Sequence, residues 1–174
     1  MTATLPETFE WRVDYIPAVK SAGEAARYGV TRILQVGVRA PYDAKAISVL
    51  RKDGSIAFDG YNHFASQPAL LLKGVVYDAI KKNGRFQAVV SPSSTVRSEY
   101  SVEVVFQKLT LDCREAEKRL AVAEVEIRMV KASDRSIAAI LEGAGKTEAA
   151  DGDYSKAFSS AVSQALDNAL GKLK

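Results

Sequence analysis

Two stretches decide the fold: Tyr100–Leu111 (YSVEVVFQKLTL) and Leu120–Val130 (LAVAEVEIRMV). In the second, Ala121, Ala123, Val125, Ile127 and Met129 fall on one side of a pleated chain, with Glu124, Glu126 and Arg128 on the other. Successive side chains of a strand point to opposite faces, so this is the pattern of a half-buried strand. In the first stretch Val102, Val104 and Phe106 share a face. Alternation of this kind predicts antiparallel strands with one face on a core and one in water, joined by the charged link Asp112 to Lys118 as a hairpin loop.

Downstream, Ser136 to Glu142 continues as a further strand and Ala144 to Asp153 reads as a small, polar connector. From Tyr154 to Leu173 the period changes: Phe158, Val162, Ala165, Leu166, Ala169, Leu170 and Leu173 form one helical stripe, with Asp153 as its cap. Upstream, Gln67 to Asn83 is a second amphipathic helix, with Leu72, Val75, Val76, Ala79 and Ile80 at helical spacing, Ser66 as its expected N-cap, Pro68 in its first turn and Asn83-Gly84 as a left-handed stop. Phe86 to Val90 follows as a short strand, and Ser91 to Ser94 breaks it.

Nearer the start, Phe9 to Ile16 reads as an early strand and Val19 to Tyr28 as a loop. Arg32 to Val38 alternates, with Leu34, Val36 and Val38 on one face, and Pro41 ends it. Ile47 to Arg51 and Ser55 to Phe58 flank Lys52-Asp53-Gly54, whose Asp-Gly pair supplies the positive φ that a tight hairpin needs. Both helical stripes need something to cover, since each large apolar side chain contributes roughly 1.5–3 kcal/mol on burial. The expected fold is therefore α+β: a two-layer sandwich of a mixed, mainly antiparallel sheet with two amphipathic helices on one face. It is read as one domain over 1–174, with a core from about 30 to 173 and an N-terminal strand and connector over 1–29.

The 174 residues, 47% of them hydrophobic, suffice for one substantial core. Lys and Arg number 24 against 21 Asp and Glu, scattered along the chain. The pair Lys81 and Lys82 closes a helix, where the dipole favours cations, so no nucleic-acid surface is read. No run of about 18 apolar residues occurs and Met1 to Glu10 has no basic and apolar leader, so a soluble chain without an export signal is expected.

Residues for common catalysis are sparse. His63 is the one histidine, set in Tyr61-Asn62-His63-Phe64, and among aromatics it reads as packing. Cys113 is the one thiol, which rules out a dithiol or an internal disulfide within one chain. Glu124/Glu126 and Glu115/Glu117 stand two apart, but the neighbouring Lys108, Lys118 and Arg128 make a solvated face of them. Gly143-Ala144-Gly145-Lys146-Thr147 lacks the first glycine of a phosphate loop and reads as a plain loop. No catalytic residue, cofactor or metal site is expected. The contact candidates are Tyr42, in the loop after Pro41, and Tyr61, His63 and Phe64.

The run Gly60-Tyr61-Asn62-His63-Phe64-Ala65-Ser66-Gln67-Pro68, followed by a helix and Gly84-Arg85-Phe86, resembles the ABC-type transport auxiliary lipoprotein family, which includes the PqiC-like intermembrane-transport lipoproteins. Tyr61, Phe64, Ala65, Pro68, Gly84 and Phe86 occupy its pattern, with Phe64 where a tryptophan is common. The resemblance implies a domain similar to the N-terminal domain of TolB and residence in the Gram-negative periplasm, anchored to the outer membrane through a lipidated cysteine. It also implies a non-catalytic role beside an Mce-type lipid or solvent-tolerance transporter, with transporter components or phospholipid as partners. No cysteine precedes the domain here, so anchoring rests on the resemblance alone. The alternative is a structural envelope protein that assembles into homo-oligomers.

Overall fold

The computed structural model describes residues 5–18, 25–115 and 117–174. Eight strands and two helices follow in the order β1 (Phe9–Trp11), β2 (Tyr28–Val38), β3 (Ala46–Leu50), β4 (Ile56–Phe64), α1 (Pro68–Asn83), β5 (Phe86–Val90), β6 (Tyr100–Asp112), β7 (Leu120–Lys131), β8 (Ile137–Glu148) and α2 (Tyr154–Leu170). The loop expected over Val19 to Tyr28 lies largely outside the described residues, and Tyr28 already belongs to β2.

The long strand β6 organises the sheet. Along one edge it pairs antiparallel with β7, which pairs antiparallel with β8. Its other edge is shared by two strands, β2 over the first half and β3 at Leu111 and Asp112, both parallel to it. Beyond β2 lies β5, and beyond β3 lie β4 and then β1. The pairings β1·β4, β2·β5, β2·β6 and β3·β6 are parallel, and the three antiparallel ones are β3·β4, β6·β7 and β7·β8. The sheet is thus mixed with a largely parallel centre, which corrects the mainly antiparallel expectation. Alternation reports which face a side chain takes, not which way the neighbouring strand runs. After β2 the chain turns through a cis Ala40–Pro41 peptide and continues in the same sense along β6 instead of doubling back.

Bulges reset the faces. In β2 the register slips between Ile33 and Gln35, so Ile33 and Val36 are buried while Leu34 is 47% exposed. In β6 it slips at Gln107, and the buried set passes from Val102, Val104 and Phe106 to Leu109 and Leu111. Nearly all the buried apolar residues form one cluster, with Phe64 and Phe158 edge to face at 5.1 Å.

Both helices lie over this cluster, α1 on β2 and β5, α2 on β7 and β8, and they touch each other. Gly84, at φ 79, stops α1 as expected, but Gln67 and not Ser66 is the N-cap residue, and no side chain caps it. The Asp153 carboxylate accepts from Lys156 N at 3.0 Å, so that cap is the expected one. Among the described residues no helix is long and apolar enough to cross a membrane.

The segment Gly143–Thr147, expected as a loop, lies in the second half of β8. A Cβ at Gly145 would lie inside the Ala161 carbonyl oxygen and 2.8 Å from Gln164 Cβ, and one at Gly143 would lie inside the Ala165 carbonyl oxygen and 2.6 Å from Ala169 N. The two glycines exist because the α2 backbone rests on the strand. The early strand is also shorter than expected. Beyond Trp11 the chain keeps its alternation, with Val13 and Tyr15 buried, but its partner is α2: Asp14 N and Ile16 N donate to Ser159 Oγ and Ser163 Oγ, each at 2.9 Å.

Candidate functional site

The four contact candidates do not form one surface. Phe64 is 1% exposed and belongs to the core. Tyr42 sits in the turn after Pro41, its N–H donating to Arg39 O at 2.9 Å, and is half-buried against the core. Tyr61 and His63 lie on β4, which runs through Phe64 and was expected to end at Phe58. Between Phe58 and His63 the chain carries more residues than β3 opposite. This excess is folded around Asp59, whose carboxylate accepts from Tyr61 N at 2.8 Å, Asn62 N at 3.0 Å and Asn62 Nδ2 at 2.9 Å. Tyr61 is left 52% exposed.

Asp59 also lines a polar cleft of about 520 Å³ at the carboxyl ends of β3 and β6, with Val49, Leu111, Cys113, Arg119 and Tyr154. Arg119 Nη1 donates to Tyr154 Oη at 2.6 Å, which raises the guanidinium pKa further. Burial pushes Asp59 up, but the three N–H groups outweigh it and hold the carboxyl below its usual value. Burial pushes the Cys113 thiol up as well, and Arg119 only partly offsets it. A raised thiol pKa is the reverse of what a nucleophilic cysteine needs. In this cleft Arg119 and Tyr154 hold one another in place, and Asp59 is held by Tyr61 and Asn62 of its own strand.

A second concavity differs in kind. β5 leaves β2 after Arg32, so from Ile33 onward, among the described residues, that edge of β2 has no strand beside it. There Ile33, Leu34, Gln35 and Val36, with Lys73, Gly74 and Tyr77 of α1 and with Ser91 and Pro92, line a groove of about 410 Å³. Its floor is apolar, Leu34 is presented by the bulge, and a Cβ at Gly74 would meet nothing within 4 Å. Among the described residues, Lys73 is the one charged residue lining it. Grooves of this size with a few polar groups suit a small apolar ligand.

The helix-free face of the sheet is a charged ladder. Arg128 lies 3.2 Å from Glu126 and 3.8 Å from Glu103, and Lys108 lies 3.6 Å from Glu124. The carboxylates two apart in β7 are therefore a solvated, paired face, and Glu115 and Glu117 stand exposed in the β6–β7 loop.

No protein-family model matches the chain, and no curated protein matches it. Solved structures do. Protein XCC0632 from Xanthomonas campestris, of the DUF330 family, superposes with a TM-score of 0.68 at 17% identity, over 93% of this chain and 94% of that one. The chain shares the fold of a DUF330 protein. A hypothetical protein, CT253 from Chlamydia trachomatis, gives 0.54 at 12% identity over 83% and 92%. The PelC dodecamer from Paraburkholderia phytofirmans gives 0.50 at 11% identity over 85% and 94%.

Neither concavity was foreseen from the sequence. The groove depends on where β5 ends and on the Leu34 bulge, and neither leaves a local pattern. Gly74 inside a well-formed helix was the one available signal, since an interior glycine costs stability unless space or contact requires it.

Proposed function

We propose that this chain is a non-catalytic auxiliary component of an ABC-type or Mce-type lipid or solvent-tolerance transport system in the bacterial envelope, working by binding. The observation that carries the reading is the apolar groove beside the unpaired half of β2, with Lys73 at its rim. An acyl chain along Ile33–Val36 would set an anionic headgroup within reach of the Lys73 ammonium. The likeness to a DUF330 protein agrees with the resemblance carried by Tyr61 to Phe86.

Gly74 lines the groove and a Cβ there would meet no atom within 4 Å, so Gly74→Phe is chosen to set a ring against the groove. The wild type and Gly74→Phe are titrated with a fluorescent phosphatidylglycerol analogue. Binding by the wild type that falls at least tenfold in Gly74→Phe, about 1.4 kcal/mol, is the expected result. Equal binding by both proteins, or none by the wild type, refutes lipid as the occupant of the groove.

A second reading, assembly into homo-oligomers, is favoured by two observations. The fold is similar to that of a protein whose structure is a dodecamer. The edge strand β8 also leaves part of its length uncovered.

A further inference from the structure

β8 pairs with β7 on one side and forms an edge of the sheet on the other. Half of that edge is closed by a polar stripe of α2: Gln164 Oε1 accepts from Lys146 N at 3.3 Å, Asn168 Nδ2 donates to Ala144 O at 2.8 Å, and Lys172 Nζ donates to Glu142 O at 2.7 Å. From Ile137 to Leu141, among the described residues, no hydrogen bond other than those to β7 engages the strand. A bare edge of this kind is a template for another strand.

The open stretch reads Ile137-Ala138-Ala139-Ile140-Leu141. Arg135, at φ 60, stands in the turn before it, and Glu142, whose carbonyl Lys172 covers, follows it. The stretch is complementary to its own reverse. A second copy laid antiparallel about the midpoint of Ala138 and Ala139 sets Ile137 against Ile140 and brings the Arg135 side chain, from the turn, beside Glu142 of that copy, and the two-fold axis repeats each pair. The register with β7 slips at Ala138, so Ile137 lies beside Val130 and Ile140 beside Arg128. Both isoleucines therefore stand on the helix-free face, 58% and 52% exposed. Without the slip they would face opposite ways. Four isoleucines, two from each copy, would form one apolar stripe flanked by an Arg–Glu pair at either end. The residues beyond Glu142, which α2 already covers, fall past the tip of the other copy's β7–β8 hairpin and stay covered.

We propose that two copies of this chain pair antiparallel through Ile137–Leu141 of β8 in this register. The inference rests on the assembly reading above and names its contact. Isologous pairing of this kind closes at two, so a larger ring would need a second, different surface.

The register makes an asymmetric prediction that a merely sticky edge does not. Arg135→Glu alone places like charges together twice, and so does Glu142→Arg alone. Mixed in equal amounts, one copy of each restores both opposite-charge pairs. Light scattering across a dilution series is expected to give a dimer for the wild type and a dissociation constant raised about tenfold in each single variant. The mixture is expected to return to the wild-type value. Ile140→Lys is expected to be monomeric with an unchanged circular dichroism spectrum. A wild-type oligomer that survives all three substitutions, or a mixture no tighter than its components, overturns the β8 contact and leaves the assembly reading standing. A wild-type monomer at every concentration overturns both.

Discussion

Adding one methyl group at Gly145 tests how α2 is seated. The new Cβ would overlap the Ala161 carbonyl oxygen and stand 2.8 Å from Gln164 Cβ. The first obstacle is helix backbone, which no rotamer change can move. Either α2 lifts from β8 or the strand bows away, and both strain a packed core by about 1–3 kcal/mol. Lifting the helix also lengthens the bonds from Gln164, Asn168 and Lys172 to the strand edge, each worth about 0.5–1.5 kcal/mol when fully made. Gly145→Ala should therefore lose about 3 kcal/mol, or roughly 6–12 °C in Tm for a chain of this size. Gly29→Ala is the control. There the three atoms nearest the Cβ all belong to the carboxylate end of Glu99, a flexible side chain that can swing aside, so a loss under about 1 kcal/mol is expected. Urea denaturation followed by circular dichroism gives midpoint and slope for each. If Gly145→Ala lies within about 0.5 kcal/mol of the wild type, the helix does not rest on the strand backbone and the reasoning is wrong.

Three further outcomes follow from the same geometry. Gly74→Ala fills empty space within α1 and should stabilise the chain by about 0.5–1 kcal/mol, read as a higher urea midpoint. Asp59 is held below its ordinary value in the folded chain, so its contribution to stability is full above about pH 4 and is lost as pH falls through the lowered value. Asp59→Asn should accordingly flatten the acid limb of a plot of urea midpoint against pH. Burial, and then the Asp167 carboxylate accepting its hydroxyl at 2.7 Å, push Tyr15 above its ordinary value. That contribution is full below about pH 10 and is lost as pH rises through the raised value. Tyr15→Phe should cost about 1 kcal/mol at neutral pH and remove this alkaline loss, as measured by the same denaturation series.

Where a residue's own side chain carries the signal, the sequence was readable. The alternation of β7, the stripe of α2 and the Asp53-Gly54 turn all stand in the structure, with Gly54 at φ 83. What stayed hidden depends on partners distant in the chain. That β3 runs parallel to β6, as β2 does, follows from a turn at Pro41 that sends the chain onward, and nothing local encodes that direction. Gly143 and Gly145 looked like loop residues because glycine is poor in strands, and only the helix backbone above them explains their presence. Val13 and Tyr15 alternate as a strand would, but the donors and acceptors beside them belong to a helix, through Ser159, Ser163 and Asp167. Phe64 looked like a contact residue in an aromatic loop, yet it completes the core against Phe158. The cleft at Cys113 and the groove at Leu34 were illegible for the same reason, since each is assembled from segments far apart in sequence.

Hydrogen–deuterium exchange on the wild-type chain, with phosphatidylglycerol vesicles and without them, bears most directly on a binding role for the β2 groove. Slower exchange confined to Ile33–Val36 and the Lys73–Tyr77 turn of α1, absent with phosphatidylcholine vesicles and absent in Gly74→Phe, is the expected result. Unchanged exchange at those amides, or protection spread evenly over the molecule, would contradict it.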